Sequence, residues 1–454
     1  MAGGGPLDGA LVSAGAGPAP GETVELEIER IAYGGDGVGR AGGLVVFAPW
    51  TAPGERIRAR VIERHPRYAR ARLEDVLSPA AERTEPGCPV YGVCGGCRLQ
   101  HLSRAAQLAS KARAVTDAFE RIARRTPPAA VVCEEAAAPW HYRRRAAFTW
   151  RRSADGFAFG FHGAEDPRAI VDLDGCPIFA AEGNAVLARL RGVLAEVPPA
   201  NGADAEEGRL AVRALPGQGV VAGVFADRAE RARGLALACA KQADIPITWG
   251  TRLAETGSLV LAPGAPRLAS RIDVGELKLR VGFDSFLQVD PVAAERLYDA
   301  AIEGLGARSG ESVIDGYAGI GAVACRLARS GVRVTAVEVH PGAASDLRAN
   351  TAAAGGAPVH VLELSAERVD WRRPRPDAVV VNPPRSGCAA AALDSIARSG
   401  ARRLVYVSCD PSTLARDVRR LGPAWRVESI RAFDLFPQTA HVETVTTLVR
   451  ESVA

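Results

Sequence analysis

The chain has 454 residues, 47% of them hydrophobic, and a formal net charge of +4. This length allows about three domains of roughly 150 residues, and the composition excludes a chain that is disordered throughout. No stretch reaches the ~18 apolar residues of a membrane span, and clustered cysteines outside the secretory route bind metal or react more often than they form disulfides. We therefore predict a cytoplasmic protein that has no contact with membranes.

The first elements in chain order are a leader and a small barrel. Residues 1–21 are rich in Gly, Ala and Pro and predict a flexible leader. Residues 22–80 alternate apolar and polar side chains in short runs between turns, which is typical of a small antiparallel β-barrel. Arg56, Arg58 and Arg60 share one strand face, and seven arginines against one glutamate between positions 56 and 72 indicate a surface for phosphate backbones, although a solvated barrel face has the same pattern.

The middle of the chain, residues 81–270, predicts a mixed α/β central domain. A helical pattern occupies the stretch "SRAAQLASKARAVTDAFERIAR", and strand-like alternation follows in "AAFTWRRSADGFAFGFHG". These patterns fix the element types but indicate no particular topology.

A cysteine cluster opens this central domain. The stretch "CPVYGVCGGC" sets Cys88, Cys94 and Cys97 at the spacing C-x5-C-x2-C, and Cys176 in "VDLDGCPIF" is a candidate fourth ligand. Four thiolates suit either zinc or an iron-sulfur cluster, so the spacing predicts a metal centre without identifying the metal. The cysteines at 133, 239, 325 and 388 are predicted to pack in the core.

The last part, residues 271–454, alternates short β-branched runs with helical stretches. This rhythm predicts a largely parallel, doubly wound sheet that binds ligands at the carboxyl ends of its strands. The loop "DGYAGIG" follows the first of these strands and places glycines at 316, 319 and 321, which differs from the dinucleotide spacing G-x-G-x-x-G. Glu338 ends the next strand, where a carboxylate can accept hydrogen bonds from a ribose, so the pair fits S-adenosylmethionine as well as any adenosine cofactor.

A candidate nucleophile lies in "YVSCDPSTLARD". Cys409 follows a strand, Asp410 can cap the next helix and Pro411 can begin it. The partial positive charge of a helix amino terminus favours a thiolate. The alternative is a buried structural cysteine that has no chemical role.

The neighbouring motifs favour a reactive thiol. The stretch "DLFPQTAHVETV" presents Asp434, His441 and Glu443 as acid/base candidates, and "VNPPRSG" is stiff enough to wall a pocket for a planar base. A thiol, a base and a methyl donor together fit methylation of carbon 5 of uracil, because addition of a thiolate to carbon 6 makes carbon 5 nucleophilic. The nucleotide must be unstacked to reach such a pocket.

These motifs together resemble the RNA uracil-5-methyltransferase family, and within it the iron-sulfur-containing 23S ribosomal RNA branch with an amino-terminal TRAM barrel. The resemblance covers nearly the whole chain after the leader, through "APWTAPGE", "SFLQVD", "DGYAGIG", "VSCDPSTLARD" and "FPQTAHVETV". It implies a Rossmann-like class I methyltransferase domain, S-adenosylmethionine as cofactor, a 4Fe-4S cluster rather than zinc, large-subunit ribosomal RNA as partner, and a monomer. By this resemblance Cys409 is the nucleophile, Glu443 is the base, the cofactor residues are Gln288, Tyr317, Glu338 and Asn382, and the cluster ligands are Cys88, Cys94, Cys97 and Cys176.

Two positions depart from the family pattern. Asn382 stands where the family usually has Asp, so an amide replaces a carboxylate in the pocket, and Asp410 stands where it usually has Asn, which adds a charge beside the thiol and tends to raise its pKa. Other functions compete with this interpretation. They are a transfer-RNA uracil-5-methyltransferase, a catalytically impaired RNA-binding paralogue, and an RNA cytosine-5-methyltransferase, whose second Pro-Cys motif is absent from "VNPPRSG".

Overall fold

The computed structural model describes residues 17–154, 156–199, 205–253, 258–373 and 375–451. The predicted leader lies outside the described residues as far as residue 16. At its end, the Gly21 amide donates a hydrogen bond to the Val61 carbonyl at 2.8 Å. Among the described helices, none combines the length and the apolar character needed to cross a bilayer.

Five strands form a closed barrel at the amino-terminal end. They are β1 (Thr23–Ile31), β2 (Asp36–Ala41), β3 (Leu44–Pro49), β4 (Arg56–Arg64) and β5 (Tyr68–Ser78), in the order β1-β2-β3-β5-β4. Alternate residues point inward, as a strand's period of two requires, and they bury Ile28, Val46 and Ile57 completely. The small barrel predicted from the alternating pattern is therefore confirmed.

The arginine row of β4 lies on the outer barrel face and is largely neutralised. Arg58 bridges Glu25 of β1 and Asp75 of β5 at 3.1 and 3.0 Å, and Arg60 pairs with Glu74 at 2.7 Å. Arg56 also pairs with Glu25. These acids lie 14 or more positions away in the chain, so the strand's own sequence did not reveal them. Arg56, Arg58 and Arg60 are therefore less available to phosphates than the sequence indicated.

A connecting segment follows the barrel. It contains α1 (Arg104–Ala118), extended by a π-helical turn at Phe119–Ala123, and the short β6 (Cys133–Glu134). Ser103 caps α1 by accepting a hydrogen bond from the Ala106 amide at 3.2 Å. The predicted helix is thus present.

The central part is a seven-stranded sheet covered by two helices. Its elements are β7 (Arg145–Ser153), β8 (Gly156–His162), β9 (Ile170–Asp172), α2 (Ala181–Glu196), β10 (Ala205–Leu215), β11 (Gly219–Ala226), α3 (Ala229–Ala243), β12 (Ile247–Arg252) and β13 (Leu259–Leu261). The strand order is β13-β12-β11-β10-β7-β8-β9. A separate hairpin, β14 (Ala269–Val274) and β15 (Leu277–Gly282), leads into the last part of the chain.

The last part is a doubly wound eight-stranded sheet, here called the C-terminal sheet. Its elements are α4 (Pro291–Leu305), β16 (Ser312–Gly316), α5 (Ala322–Arg329), β17 (Arg333–Val337), α6 (Pro341–Ala354), β18 (Val359–Leu362), a 3-10 turn (Ala366–Arg368), β19 (Ala378–Val381), α7 (Ala390–Ala397), β20 (Arg403–Ser408), α8 (Pro411–Leu421), β21 (Trp425–Phe433) and β22 (Glu443–Arg450). The strand order is β18-β17-β16-β19-β20-β22-β21-β6.

The topology of the C-terminal sheet places the ligand crevice. All its strands run in one direction except β22, which is antiparallel to both β20 and β21. The chain reverses its direction of travel across the sheet between β16 and β19, and open α/β sheets bind ligands at the carboxyl strand ends of such a switch point. Large apolar clusters cover both faces of the sheet. The predicted fold class, an α/β chain with a doubly wound domain, a small barrel and a mixed central part, is confirmed.

Candidate active site

The predicted site residues meet at one edge of the C-terminal sheet. Glu338 follows β17, the loop "YAGIG" follows β16, Asn382 follows β19 and Cys409 follows β20. Glu443 is the first residue of β22, and because β22 is antiparallel, its first residue lies at the carboxyl ends of the other strands. The edge therefore carries residues from five strands.

Strand register brings Cys409 and Glu443 together. Ser408 is paired with Thr444 across β20 and β22, and the Thr444 hydroxyl donates a hydrogen bond to the Ser408 carbonyl at 3.2 Å. One step further along the same ladder lie Cys409 and Glu443. The thiol is only half-buried, so it is accessible rather than enclosed in apolar packing.

The electrostatic surroundings of Cys409 hold it as a thiol in the free protein. Burial raises the pKa of Cys409 to about 11, Glu443 and Asp410 add to the rise, and Arg385 opposes it. The predicted effect of the helix terminus is therefore outweighed. A protonated sulfur is much less nucleophilic than a thiolate.

The helix that follows Cys409 begins as the sequence predicts. Asp410 caps α8 because its Oδ1 accepts hydrogen bonds from the Ser412 and Thr413 amides, each at 2.9 Å, and Pro411 is the first helical residue. Asp410 Oδ2 accepts a further hydrogen bond from the hydroxyl of Tyr33 at 3.2 Å, and Tyr33 belongs to the turn between β1 and β2 of the barrel. The barrel thus touches the nucleophile motif directly.

Glu443 is enclosed and has the proton affinity of a base that works near neutral pH. Glu443 is only 3% exposed. Burial raises the pKa of Glu443 to about 8, although Arg385 lowers it. A carboxyl group in this range can both take and release a proton under physiological conditions.

Arg385 is a functional candidate that the sequence indicated only as part of a pocket wall. The positive charge of its guanidinium lowers the pKa of both Cys409 and Glu443. Its Nη2 donates a hydrogen bond to His441 Nε2 at 3.1 Å. Burial lowers the pKa of His441 to about 4, and Arg385 lowers it further. His441 is therefore a neutral hydrogen-bond acceptor. The sequence signal that could have identified Arg385 as a functional residue is its place in "VNPPRSG", directly after a predicted strand.

Asp434 does not take part in acid/base chemistry at this edge, contrary to the sequence-based expectation. It is fully buried and forms ion pairs with Arg104 Nη2 at 2.7 Å and with Lys111 Nζ. Both cations belong to α1. Lys111 also donates to the Phe436 carbonyl at 3.0 Å, so this cluster fixes the loop that precedes Glu443.

The amide side chains of Gln107 and Gln438 hold the same loop. Gln107 Nε2 donates to Gln438 Oε1 at 3.0 Å, and the main-chain N–H of Gln438 donates to Gln107 Oε1 at 3.1 Å. Gln438 has a positive φ of 69°, a conformation that costs a residue with a side chain free energy unless its surroundings hold it. The paired amides supply that restraint.

The glycine loop is tied to Glu338. The Gly319 amide donates to Glu338 Oε2 at 2.8 Å, and the His340 amide donates to Oε1 at 2.7 Å. Gly319 has a φ of 58°, and no heavy atom lies within 4 Å of the position that a Cβ would take there. The loop therefore has open space beside Gly319.

Two buried oxygens in the stretches "SFLQVD" and "DGYAGIG" have no hydrogen-bond donor among the described residues. They are Gln288 Oε1, in a residue that is 3% exposed, and Asp315 Oδ2, at the end of β16. Burial raises the pKa of Asp315 to about 7, and Glu338 adds to the rise. Orphaned buried polar atoms are rare and are satisfied when a ligand supplies the partner. Asp315 was missed as a site residue, although it is the first residue of the predicted loop "DGYAGIG".

Tyr317 and Asn382 are held differently from each other. Tyr317 has a φ of 61°, and its side chain packs against the apolar cluster that includes Cys388. Asn382 is half-buried, and its main-chain N–H donates to the Gly316 carbonyl at 3.2 Å. Asn382 thus lies against the glycine loop, whereas the Tyr317 side chain lies against apolar residues.

The four predicted metal ligands lie near one another. Burial raises the pKa of Cys97 to about 12, and Cys176, Cys94 and Cys88 add to the rise through their own charges. The Gly96 main-chain amide donates to the sulfur of Cys94 at 3.4 Å. Nevertheless, the described residues contain no group of three or more His, Cys, Asp or Glu side chains arranged to hold a metal ion, so the geometry does not support the predicted cluster. The other four predicted core cysteines are buried, as expected.

The chain matches two family models and is similar to RNA methyltransferases of other organisms. Residues 268–451 match the tRNA (Uracil-5-)-methyltransferase family model, and residues 19–73 match the TRAM domain model. The chain is 31% identical to an uncharacterized RNA methyltransferase of Halalkalibacterium halodurans, covering 94% of this chain and 97% of that protein. A second uncharacterized RNA methyltransferase, from Thermosynechococcus vestitus, is 32% identical over 94% of this chain and 98% of its own.

A solved structure matches the whole fold. It is the crystal structure of Pyrococcus abyssi tRNA (uracil-54, C5)-methyltransferase in complex with S-adenosyl-L-homocysteine, with a TM-score of 0.72 and 25% sequence identity. The match covers 93% of this chain and 100% of that chain.

Proposed function

Because the chain belongs to the RNA (uracil-5-)-methyltransferase family, we propose that it methylates carbon 5 of one uridine in 23S ribosomal RNA through a covalent adduct on Cys409. It is an S-adenosylmethionine-dependent RNA uracil-5-methyltransferase with a TRAM barrel. The observation that supports the proposed mechanism best is the register that sets a half-buried thiol beside a buried carboxyl whose pKa is raised to about 8.

We assign the cofactor to the open side of the glycine loop. S-adenosylmethionine supplies an electrophilic methyl group when it is bound. Glu338 would accept from its ribose hydroxyls, and the orphaned oxygen of Gln288 would accept a hydrogen bond from a polar group of the cofactor. Asn382 and Tyr317 would line the same pocket, and the amide of Asn382 would contribute hydrogen bonds without a negative charge.

Cys409 would act as the nucleophile. In its deprotonated form the sulfur bonds to carbon 6 of the uracil, and the electron pair of the 5,6 double bond passes to carbon 5 and the neighbouring carbonyl oxygen. Carbon 5 then takes the methyl group. Arg385 lowers the pKa of Cys409 against the opposing effect of burial, so we assign to it the stabilisation of the thiolate.

Glu443 would complete the reaction. It removes the proton from carbon 5, the electron pair restores the 5,6 double bond, and the bond between carbon 6 and sulfur breaks to return the thiolate. The carboxylate form of Glu443 is required for this step, and its pKa of about 8 keeps both forms accessible near neutral pH.

A transfer RNA is the second candidate substrate. It is favoured by the solved relative, which is named as a tRNA (uracil-54, C5)-methyltransferase and matches nearly the full chain. The ribosomal RNA proposal depends on the resemblance of the barrel and the cysteine cluster to the ribosomal RNA branch. The two substrates call for the same chemistry and differ only in which RNA the protein binds.

The test is to map 5-methyluridine in separated ribosomal and transfer RNA. A strain that lacks the protein is complemented with the unchanged chain, with Cys409→Ala and with Ser412→Ala, a control in the same motif whose hydroxyl has no assigned role. We expect one 23S position to lose the methyl group in the deletion and in Cys409→Ala only. Loss of 5-methyluridine from transfer RNA instead would show that transfer RNA is the substrate. Full methylation by Cys409→Ala would overturn the mechanism.

We also propose that Cys88, Cys94, Cys97 and Cys176 hold a 4Fe-4S cluster, with zinc as the alternative. The support is a set of four free thiols, three of which raise the pKa of the fourth, Cys97, and a main-chain amide that donates to the sulfur of Cys94. Amide-to-sulfur hydrogen bonds are common around metal-bound thiolates. The group would order this segment and would not take part in the methyl transfer.

An elemental assay decides the metal. Protein purified without oxygen should contain iron and acid-labile sulfide, and Cys97→Ser should lose both. Cys239→Ala is the matched control, because Cys239 is fully buried in the central part. Zinc without sulfide would contradict the cluster.

The cellular compartment in which the protein acts is proposed from its cysteines and its RNA substrate. All nine cysteines are free, which suits a reducing compartment, and the RNA substrate is available in the cytoplasm. We propose that the protein acts there as a monomer.

A further inference from the structure

A tyrosine of the barrel reaches the nucleophile motif. Tyr33 lies in the turn between β1 and β2, and its hydroxyl faces Asp410 Oδ2 at 3.2 Å and the Cys409 carbonyl at 3.3 Å. Its ring packs against the apolar cluster of the C-terminal sheet. This contact joins residues 377 positions apart in the chain.

The turn that carries Tyr33 is fixed in place. Gly35 has a positive φ of 97°, and a Cβ at that position would lie 2.8 Å from the Cβ of Arg98. Arg98 in turn donates from its Nη2 to Asp36 Oδ1 at 2.6 Å and lies over the ring of Trp50. The close approach requires glycine, and these contacts give Tyr33 a defined position rather than a mobile one.

Tyr33 completes the hydrogen bonding of the Asp410 carboxylate. One oxygen of Asp410 serves the helix amides, and the other accepts from Tyr33. A hydrogen bond to a carboxylate draws off part of its negative charge, and Asp410 raises the pKa of Cys409. An asparagine would cap α8 equally well but would carry no charge to compensate.

We propose that Tyr33 is a positioning residue of the catalytic centre, whose hydroxyl holds and partly compensates the Asp410 carboxylate and thereby increases the reactivity of Cys409. The barrel would then contribute to the nucleophile as well as to RNA binding. The inference rests on the proposed function of Cys409. The charged groups around this thiol are Glu443 on β22, Arg385 after β19 and Asp410 itself.

The test measures the thiol and needs no RNA. The full chain is alkylated with iodoacetamide over a range of pH, and modification of the peptide that contains Cys409 is followed by mass spectrometry. Tyr33→Phe should react two- to threefold more slowly than the unchanged chain at neutral pH and should shift the profile to higher pH. Asp410→Asn should shift it to lower pH, and Tyr33→Phe added to Asp410→Asn should cause no further shift.

The controls separate this effect from disruption. Tyr68→Phe changes a barrel tyrosine that stacks on His65 at 4.4 Å and should leave the profile unchanged. An unchanged profile in Tyr33→Phe, no downward shift in Asp410→Asn, or the same Tyr33→Phe shift in the Asp410→Asn background would each overturn the proposal. If Cys409→Ala retains methylation while the alkylation shifts occur, the proposed function fails and the inference about the thiol stands.

Discussion

Ser408 and Thr444 are directly opposed residues of the antiparallel pair β20 and β22, and this register determines which side chains meet at the sheet edge. The next position brings the thiol of Cys409 to the carboxyl of Glu443. A shift of the register by one residue would turn one of the two side chains to the opposite face of the sheet. The roles proposed for Cys409 and Glu443 depend on this arrangement and on the contacts that hold it.

The first prediction concerns release of the product. Glu443→Gln removes the base while keeping the shape of the side chain, so the proton on carbon 5 cannot leave. We expect an RNA adduct on Cys409 that survives denaturing electrophoresis, together with at least a 100-fold loss of turnover, in the range typical of a removed general base. Glu428→Gln, at an exposed glutamate of β21, should form no lasting adduct. Rapid adduct breakdown in Glu443→Gln would assign the base to another residue.

The second prediction concerns stability and pH. The pKa of Glu443 is raised from 4.5 to about 8 in the folded chain, so the folded state binds this proton more tightly than the unfolded state. The stabilising contribution is complete below pH 4.5 and is lost as the pH rises through 8. As the pH rises from 4.5 to 8, the unfolding free energy of the unchanged chain should therefore fall relative to that of Glu443→Gln, by on the order of a few kcal/mol. A difference between the two that does not change with pH would contradict the assigned burial.

The third prediction concerns the buried ion pair behind the base. Lys111→Met leaves the carboxylate of Asp434 with Arg104 as its remaining partner, and breaking a buried pair costs about 3 kcal/mol. Chemical denaturation should show this loss of unfolding free energy. Arg113→Met is the matched control on α1, because its ion pair with Asp117 is exposed and should cost less than ~0.5 kcal/mol. Equal effects of the two variants would argue against a buried charge cluster.

The fourth prediction concerns RNA binding by the barrel. Arg67 and Arg72 are exposed and have no ion pair with any described acid, whereas Arg56 and Arg58 are neutralised by Glu25. Replacing Arg67 and Arg72 together by Gln should weaken RNA binding and reduce the slope of log affinity against log salt by about 1.5. Replacing Arg56 and Arg58 together by Gln should change the slope by less than half as much. A larger change of slope on replacing Arg56 and Arg58 would show that the arginine row of β4 does bind RNA.

The sequence by itself determined the local elements and the order in which they occur. Alternation of period two gave the barrel strands, alternating strand and helix patterns gave the doubly wound sheet, and Asp410 with Pro411 marked the start of α8. Cys409 and Glu443 could be singled out because each stands at the boundary of an apolar run. These features depend on residues within a few positions of one another, and short-range propensity and capping are properties of the local chain.

Only the tertiary structure decided how these residues are charged, buried and partnered. Asp434 was expected at the sheet edge but is held by Lys111, which lies 323 positions earlier in the chain, and Arg60 is neutralised by Glu74 on a neighbouring strand. The raised pKa of Glu443 comes from burial, and the contact of Tyr33 with Asp410 comes from docking of the barrel. Burial and ion pairing depend on which distant surfaces pack together, and this packing cannot be read from the periodicity of any one segment.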